Sequence, residues 1–250
     1  MIEFIGFLYS IVLGAVITSF TNVVGLRVPR QQSIVTPRSH CPSCGHELSP
    51  WELIPIFGYV ALRGRCHGCG KRIAPTYPIF ELLGAIGYGY SFSLYGFSVT
   101  TLLAFAFLST LLALAMSDLS TMLVPNVILR ITAPVLLVLT YITGASWWTP
   151  LAGALLGFSL LATVFFLSKG GLGAGDVKLF TMIGLVLGPR DVLVALFLSS
   201  LIGAVVGIGL MMTKKIGRKQ PIPFVPSIAL GTMLTFWFSE SFFDWYFELM

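Results

Sequence analysis

Long apolar runs separated by polar segments make up most of this 250-residue chain. A run of roughly 17–25 apolar residues is long enough to cross a bilayer as a helix. Eight runs are candidates, at about 3–26, 79–96, 99–117, 125–142, 150–168, 176–189, 191–212 and 224–247. The sixth is short, and only Gly188-Pro189-Arg190-Asp191 separates it from the seventh. The pattern predicts an all-α polytopic membrane protein with about eight transmembrane helices.

The composition supports this fold class, with 56% hydrophobic residues, 10% charged residues and a mean hydropathy of +0.91. Soluble domains carry about 25% charged residues. The uninterrupted apolar part of the first run, Phe4–Val24, is preceded by Glu3 rather than by lysines or arginines. It is longer than the apolar region of a signal peptide, which has about 7–15 residues, so we do not expect it to be cleaved. The net charge of +5 comes from basic residues in loops. We therefore predict membrane lipid, and no nucleic acid, as a partner.

The basic residues predict the orientation, because lysine and arginine concentrate in cytoplasmic loops. The loop after the first helix contains Arg27, Arg30, Arg38, Arg63, Arg65, Lys71 and Arg72, and the loop after the seventh contains Lys214, Lys215, Arg218 and Lys219. With eight helices, both loops are cytoplasmic when the N- and C-termini are outside. We predict this multi-pass orientation.

The polar loop at 27–78 contains four cysteines in two C-x-x-C-G pairs, with 21 residues between Cys44 and Cys66. This spacing is typical of a zinc site. A reducing cytoplasmic loop disfavours two disulfides, and no βαβ pattern supports a thioredoxin-like redox pair. The loop therefore predicts a small cytoplasmic zinc-binding domain with one structural zinc, bound by Cys41, Cys44, Cys66 and Cys69. His46 and His67 are bystanders able to replace a cysteine.

Two carboxylates border apolar runs on the predicted cytoplasmic side. Asp118 follows the third run, and Asp176 begins the sixth, next to a glycine-rich turn. Ionisable residues in membrane segments are functional candidates, although each acid taken alone could simply cap a helix or loop. Taken together, two carboxyl groups that share a proton can activate water and protonate a departing amide nitrogen. We favour this aspartyl dyad over a Ser/Lys dyad, because no serine stands out by its context.

These residues resemble those of the type 4 prepilin peptidases, a family of GxGD membrane aspartic proteases that act as leader peptidases and N-methyltransferases in bacterial type IV pilus, type II secretion and competence systems. The resemblance covers nearly the whole chain. It is carried by Ser19-Phe20-Thr21-Asn22-Val23, the tetracysteine loop, Glu81-Leu82-Leu83, Asp118 with Val124-Pro125-Asn126, the run Gly173-Ala174-Gly175-Asp176-Val177-Lys178-Leu179, and Pro223-Phe224-Val225-Pro226.

The resemblance implies an enzyme of the bacterial cytoplasmic (inner) membrane that removes the short basic leader of prepilins or pseudopilins after glycine. It implies that the new N-terminus is then methylated with S-adenosylmethionine. The implied catalytic residues are Asp118 and Asp176, with Gly173, Gly175 and Lys178 in the active-site loop. The candidate cofactor-binding residues are Asn22, Arg27, Arg38, Glu52 and Glu81. The implied domains are a first transmembrane helix at 1–26, a methyltransferase-associated zinc-binding domain at 27–78 and a seven-helix peptidase domain at 79–250.

Two other functions compete with this hypothesis. In an ion- or proton-coupled transporter, the aspartates would be relay groups near the bilayer midplane. In a catalytically inactive assembly scaffold, the zinc loop would bind partners and the acids would be dispensable.

Overall fold

The computed structural model describes residues 1–167, 173–213 and 222–248. The helices are α1 (Ile2–Arg27), α2 (Phe57–Ala61), α3 (Thr76–Tyr95), α4 (Val99–Thr121), α5 (Asn126–Ile142), α6 (Thr149–Leu167), α7 (Ala174–Met212) and α8 (Val225–Glu248). A 3₁₀ turn at Val28–Arg30 extends α1, and the described residues contain two isolated β-bridges but no strand. The predicted all-α fold is therefore confirmed.

Among the residues that the structure describes, four helices are long and apolar enough to cross a membrane. They are Ile2–Arg30, Val99–Thr121, Thr149–Leu167 and Ala174–Met212. Two shorter apolar helices occur at Asn126–Ile142 and Val225–Ser239. The second predicted span corresponds to α3, which is interrupted by a buried glutamate and several glycines and tyrosines and is not among the four.

The predicted break between the sixth and seventh spans is a kink inside α7. Gly188 has φ +78°, a left-handed value that residues with a Cβ rarely adopt, and Pro189 follows it. The two halves of α7 on either side of this kink correspond to the two predicted runs. The boundary between them is thus set by a glycine–proline pair rather than by a polar loop.

The chain divides into two units, Met1–Ala113 and Leu114–Met250, and the boundary falls within α4. In the first unit α1 packs on α3, and in the second α6 and α8 both pack on α7. Glycines form these contacts, since a Cβ on Gly14 would meet the backbone of Gly84, and a Cβ on Gly153 would meet that of Gly184. Small residues of this kind let helices approach closely where hydrocarbon tails give no hydrophobic drive for association.

Part of the predicted orientation and of the glycine-rich turn lies outside the described residues. These positions are the four basic residues after the seventh run, Lys214, Lys215, Arg218 and Lys219, and residues 170–172 at the start of the glycine-rich turn. The placement of the termini and loops relative to the membrane stays a prediction.

Candidate active site and metal centre

Asp118 lies in the last turn of α4 and is 7% exposed. Its Oδ2 accepts a hydrogen bond of 2.9 Å from the backbone N–H of Val225, the first residue of α8. The first N–H groups of a helix lack partners within the helix, and they carry a partial positive charge. A carboxylate at this position therefore satisfies a buried donor, and it joins the end of α4 to the start of α8.

Asp176 is the third residue of α7 and is 8% exposed. Its Oδ2 accepts the N–H of Gly173 at 3.3 Å, while its own N–H donates to the carbonyl of Gly173 at 3.0 Å. Through these two bonds with Gly173, Asp176 caps the N-terminus of α7, which is the helix-capping role that the sequence also allowed. The same contacts fix the direction in which the carboxyl group points.

The two acids, 58 positions apart in sequence, are close enough for their carboxyl groups to interact electrostatically. Both lie at helix ends and both are more than nine-tenths buried. Two carboxyl groups held near one another favour a state in which they share a single proton. The structure therefore brings the two predicted catalytic residues together, in an arrangement suited to acid–base chemistry.

The segment between α4 and α5 forms one wall of this site. The Ser117 hydroxyl, fully buried, donates to the carbonyl of Leu123 at 2.7 Å. A Cβ on Gly175 would come within 2.8 Å of the Cβ of Val124, so a larger residue at 175 would displace this segment or Asp176 beside it. Gly175 of the predicted active-site loop is thus required by its close packing against Val124.

Lys178, also predicted for the loop, donates from Nζ to Oδ1 of Asn126 at 2.9 Å in an exposed hydrogen bond. Asn126 is the first residue of α5, so this bond joins the beginnings of α5 and α7. Sequence reasoning did not select Asn126 or Val225 as site residues. A polar residue that directly follows Pro125 at the start of an apolar run is a signal that could have found Asn126, whereas the Val225 contact uses a backbone group and leaves no trace in residue type.

The four cysteines come together as predicted, with their sulfur atoms within 4.8 Å of one another. Each C-x-x-C pair closes a tight turn in which Gly45 or Gly70 adopts positive φ. In both turns the N–H of the first cysteine donates to a backbone carbonyl at 2.9 Å. Cys41 donates to the carbonyl of His46, and Cys66 donates to that of Lys71. The two turns are therefore equivalent structures, offset by 25 positions.

The sulfur spacing fits a zinc ion. The Cys41–Cys69 and Cys44–Cys66 sulfur pairs are 3.9 and 3.8 Å apart. Four thiolates at about 2.3 Å from a tetrahedral Zn²⁺ have sulfur atoms about 3.8 Å apart. All four cysteines are free of disulfides, so this cluster can hold a metal ion without rearrangement of its backbone.

The five candidate cofactor-binding residues form hydrogen bonds that run to other partners. Asn22 donates to the carbonyl of Tyr77, Arg27 to that of Ser33, and exposed Arg38 offers its own carbonyl to His40. Glu81 accepts a hydrogen bond of 2.7 Å from the N–H of Ile56, and Ile56 has a positive φ of +63°. Glu52 accepts both the N–H and the hydroxyl of Ser49, and these bonds hold the pKa of Glu52 below its usual range. The two glutamates thus support the fold of the zinc-binding segment.

Comparison with known proteins assigns both halves of the chain. Residues 12–95 match the Bacterial Peptidase A24 N-terminal domain, and residues 105–208, which contain both aspartates, match the Type IV leader peptidase family. The chain is 38% identical over 244 residues to the prepilin leader peptidase/N-methyltransferase of Bacillus subtilis (strain 168), covering 97% of each chain.

The chain belongs to the Type IV leader peptidase family. Other members with the same name are 32% identical, one from Burkholderia pseudomallei (strain 1026b) over 94% of this chain and 86% of that one, and one from Pseudomonas aeruginosa over 90% and 87%. No solved structure matches the chain. Membership of the family confirms the resemblance drawn from sequence.

Proposed function

We propose that this chain is an enzyme that removes the leader of prepilins or pseudopilins after a glycine, and that it then N-methylates the new amino terminus with S-adenosylmethionine. The observation that carries the peptidase activity is the proximity of Asp118 and Asp176, both buried at helix ends. Membership of the Type IV leader peptidase family supports the substrate class.

In the proposed reaction the dyad works with one proton shared between its carboxyl groups. The ionised carboxylate takes a proton from water as the water oxygen attacks the carbonyl carbon of the scissile bond, and the protonated carboxyl donates to the carbonyl oxygen. When the tetrahedral intermediate collapses and the carbon–nitrogen bond breaks, the carboxyl group that took a proton from water gives it to the departing nitrogen. The other carboxylate takes back the proton from the former carbonyl oxygen. The departing nitrogen becomes the new amino terminus of the pilin.

The positions of the acids favour proteolysis over transport. A relay group in a transporter is expected near the bilayer midplane, whereas Asp118 and Asp176 lie in the last and first turns of their helices. We propose that these ends face the cytoplasm in a multi-pass inner-membrane protein whose termini are outside. The helices described within 79–250, which number seven when the two halves of the kinked α7 are counted separately, would form the peptidase domain.

The four cysteines would hold one structural zinc, whose four thiolate ligands leave no coordination position for a substrate. S-adenosylmethionine, when bound, supplies a methyl group to the new amine, which loses a proton. We propose that its site is within the first unit, with Asn22, Arg27, Arg38, Glu52 and Glu81 as candidates. Within the described part of the chain, Oδ1 of Asn22 and Oε1 of Glu52 are buried without a hydrogen-bond partner, so these two candidates have a polar atom available for a ligand.

The proposal can be tested with the purified full-length protein, a prepilin and S-adenosylmethionine, followed by mass spectrometry of the product's N-terminus. We expect leader removal and a methylated terminus from the wild type, and neither from Asp118→Asn or Asp176→Asn. Asp191→Asn changes another acid of α7 and is the matched control, which should cleave normally.

A pilin supplied without its leader separates the two activities, because the Asp118→Asn and Asp176→Asn variants should still methylate it. Cleavage at the wild-type rate by either variant would overturn the dyad. A scaffold would show no cleavage with the wild type and would tolerate both substitutions.

A further inference from the structure

A second group of metal-ligating side chains lies near the cysteine cluster. The ligand atoms of His46, Glu52 and His67 are all within 4.8 Å of one another. His46 follows the first C-x-x-C turn, His67 lies inside the second, and Glu52 belongs to the segment between them. Their rings and carboxyl group converge although none of the three belongs to the four-sulfur set.

The carboxyl group of Glu52 is the most informative member. Its side chain is 1% exposed. One oxygen, Oε2, accepts bonds of 2.7 and 2.6 Å from the N–H and hydroxyl of Ser49, whereas Oε1 is buried and has no hydrogen-bond partner in the described part of the chain. A buried carboxylate oxygen without a partner is destabilising, and a cation held through both oxygens of the carboxylate would satisfy it.

The spacing of the histidine supports a metal ion. Nε2 of His46 is 3.4 Å from Oε2 of Glu52, which is long for a hydrogen bond between these groups. Two ligand atoms bound at about 2.0–2.1 Å to a tetrahedral Zn²⁺ are separated by about 3.3–3.4 Å. The pair is therefore spaced as two ligands of one ion would be.

The third ligand is held loosely. The side chain of His67 is exposed. Its ring centroid is 6.0 Å from that of His46 and 6.1 Å from that of Trp51, whose ring meets it in a T-shaped arrangement. An exposed imidazole can change rotamer to approach an ion held by the other two. Ser49 meanwhile fixes the carboxylate from behind, as outer hydrogen-bond partners of metal ligands do.

We propose that His46, Glu52 and His67 bind a second divalent metal ion of the zinc class, separate from the one held by the four cysteines. Two imidazoles and a carboxylate leave one position of a tetrahedral ion for water. This donor set is harder than four thiolates and lies partly at the surface, so the ion exchanges more readily than the four-sulfur zinc. The site goes beyond the proposed peptidase and methyltransferase activities and does not depend on them.

The test is equilibrium dialysis of the full-length protein against a series of free Zn²⁺ concentrations, with zinc and protein quantified separately. Wild type should reach two zinc ions per chain, and His67→Asn should reach one. The chain has three histidines, and the third, His40, bonds to the carbonyl of Arg38 outside the cluster. His40→Asn is therefore the matched control and should keep two.

Cobalt substitution assigns each ion to its site. In His67→Asn loaded with Co²⁺, the thiolate-to-cobalt absorption should persist at wild-type strength, while Cys66→Ser should lose most of it. Glu52→Gln, which keeps acceptors for Ser49, should also bind one ion fewer. A wild type that saturates at one zinc with full thiolate absorption, or a His67→Asn variant that retains two, would overturn the proposal without affecting the cysteine site.

Discussion

Replacing Gly175 by alanine tests how closely the position of Asp176 depends on packing. Gly175 is the second residue of α7, directly before Asp176. A Cβ at this position would lie 2.8 Å from Cβ and 2.9 Å from Cγ2 of Val124. Carbon atoms in contact prefer about 3.5–4.0 Å, so the start of α7 and the segment before α5 must separate by about 0.7–1.2 Å.

The displacement should affect catalysis more than stability. A misplacement of about 1 Å in a catalytic group can cost about 10²-fold in rate. Overpacking costs about 1–3 kcal/mol, and alanine in a helix recovers up to about 1 kcal/mol relative to glycine. For a chain of this size, the resulting net loss of up to about 2 kcal/mol lowers Tm by up to about 8 °C. We therefore expect a folded protein that cleaves prepilin roughly 100-fold more slowly.

The assay is the initial rate of prepilin cleavage by purified protein, with thermal unfolding measured on the same preparation. Gly209→Ala is the control, since it lies on the same helix and a Cβ there would meet nothing within 4 Å. It should cleave at the wild-type rate. Val124→Gly removes both contacted atoms, so combining it with Gly175→Ala should restore part of the rate. The reasoning is refuted if Gly175→Ala and Gly209→Ala cleave equally fast.

Three further predictions concern other contacts. Asp118→Ala should be less stable than Asp118→Asn by about 1–3 kcal/mol in free energy of unfolding, because only asparagine keeps an acceptor for the Val225 N–H. Thermal unfolding measures this difference, and equal melting temperatures would contradict the bond. Glu81→Ala should increase hydrogen exchange at the Ile56 amide, whereas Glu81→Gln should leave it protected. Zinc removal by a chelator, or Cys66→Ser, should raise exchange throughout 41–48 and 65–72, since a structural zinc contributes folding energy to a small domain; unchanged protection would argue against such a role.

The sequence was sufficient wherever a property depends on neighbouring residues. Apolar runs predicted the helices because a helix satisfies its backbone within the segment and its length must match the bilayer. The position of the division between the sixth and seventh runs was also visible, as a glycine–proline pair, although the structure joins the two runs in one kinked helix. The C-x-x-C-G spacing also predicted the geometry of the two cysteine turns, since each turn is only a few residues long and positions both of its sulfur atoms.

Contacts between distant segments were decided by the tertiary structure alone. The proximity of Asp118 and Asp176 depends on how the ends of their helices are placed by tertiary packing, which sequence periodicity does not specify. The donor to Asp118 is the backbone N–H of Val225, a group that every residue except proline carries. Oε1 of Glu52, which has no hydrogen-bond partner among the residues that the structure describes, likewise became visible only once its surroundings were known. Residue type and spacing thus determined which groups could react, and packing determined which of them meet.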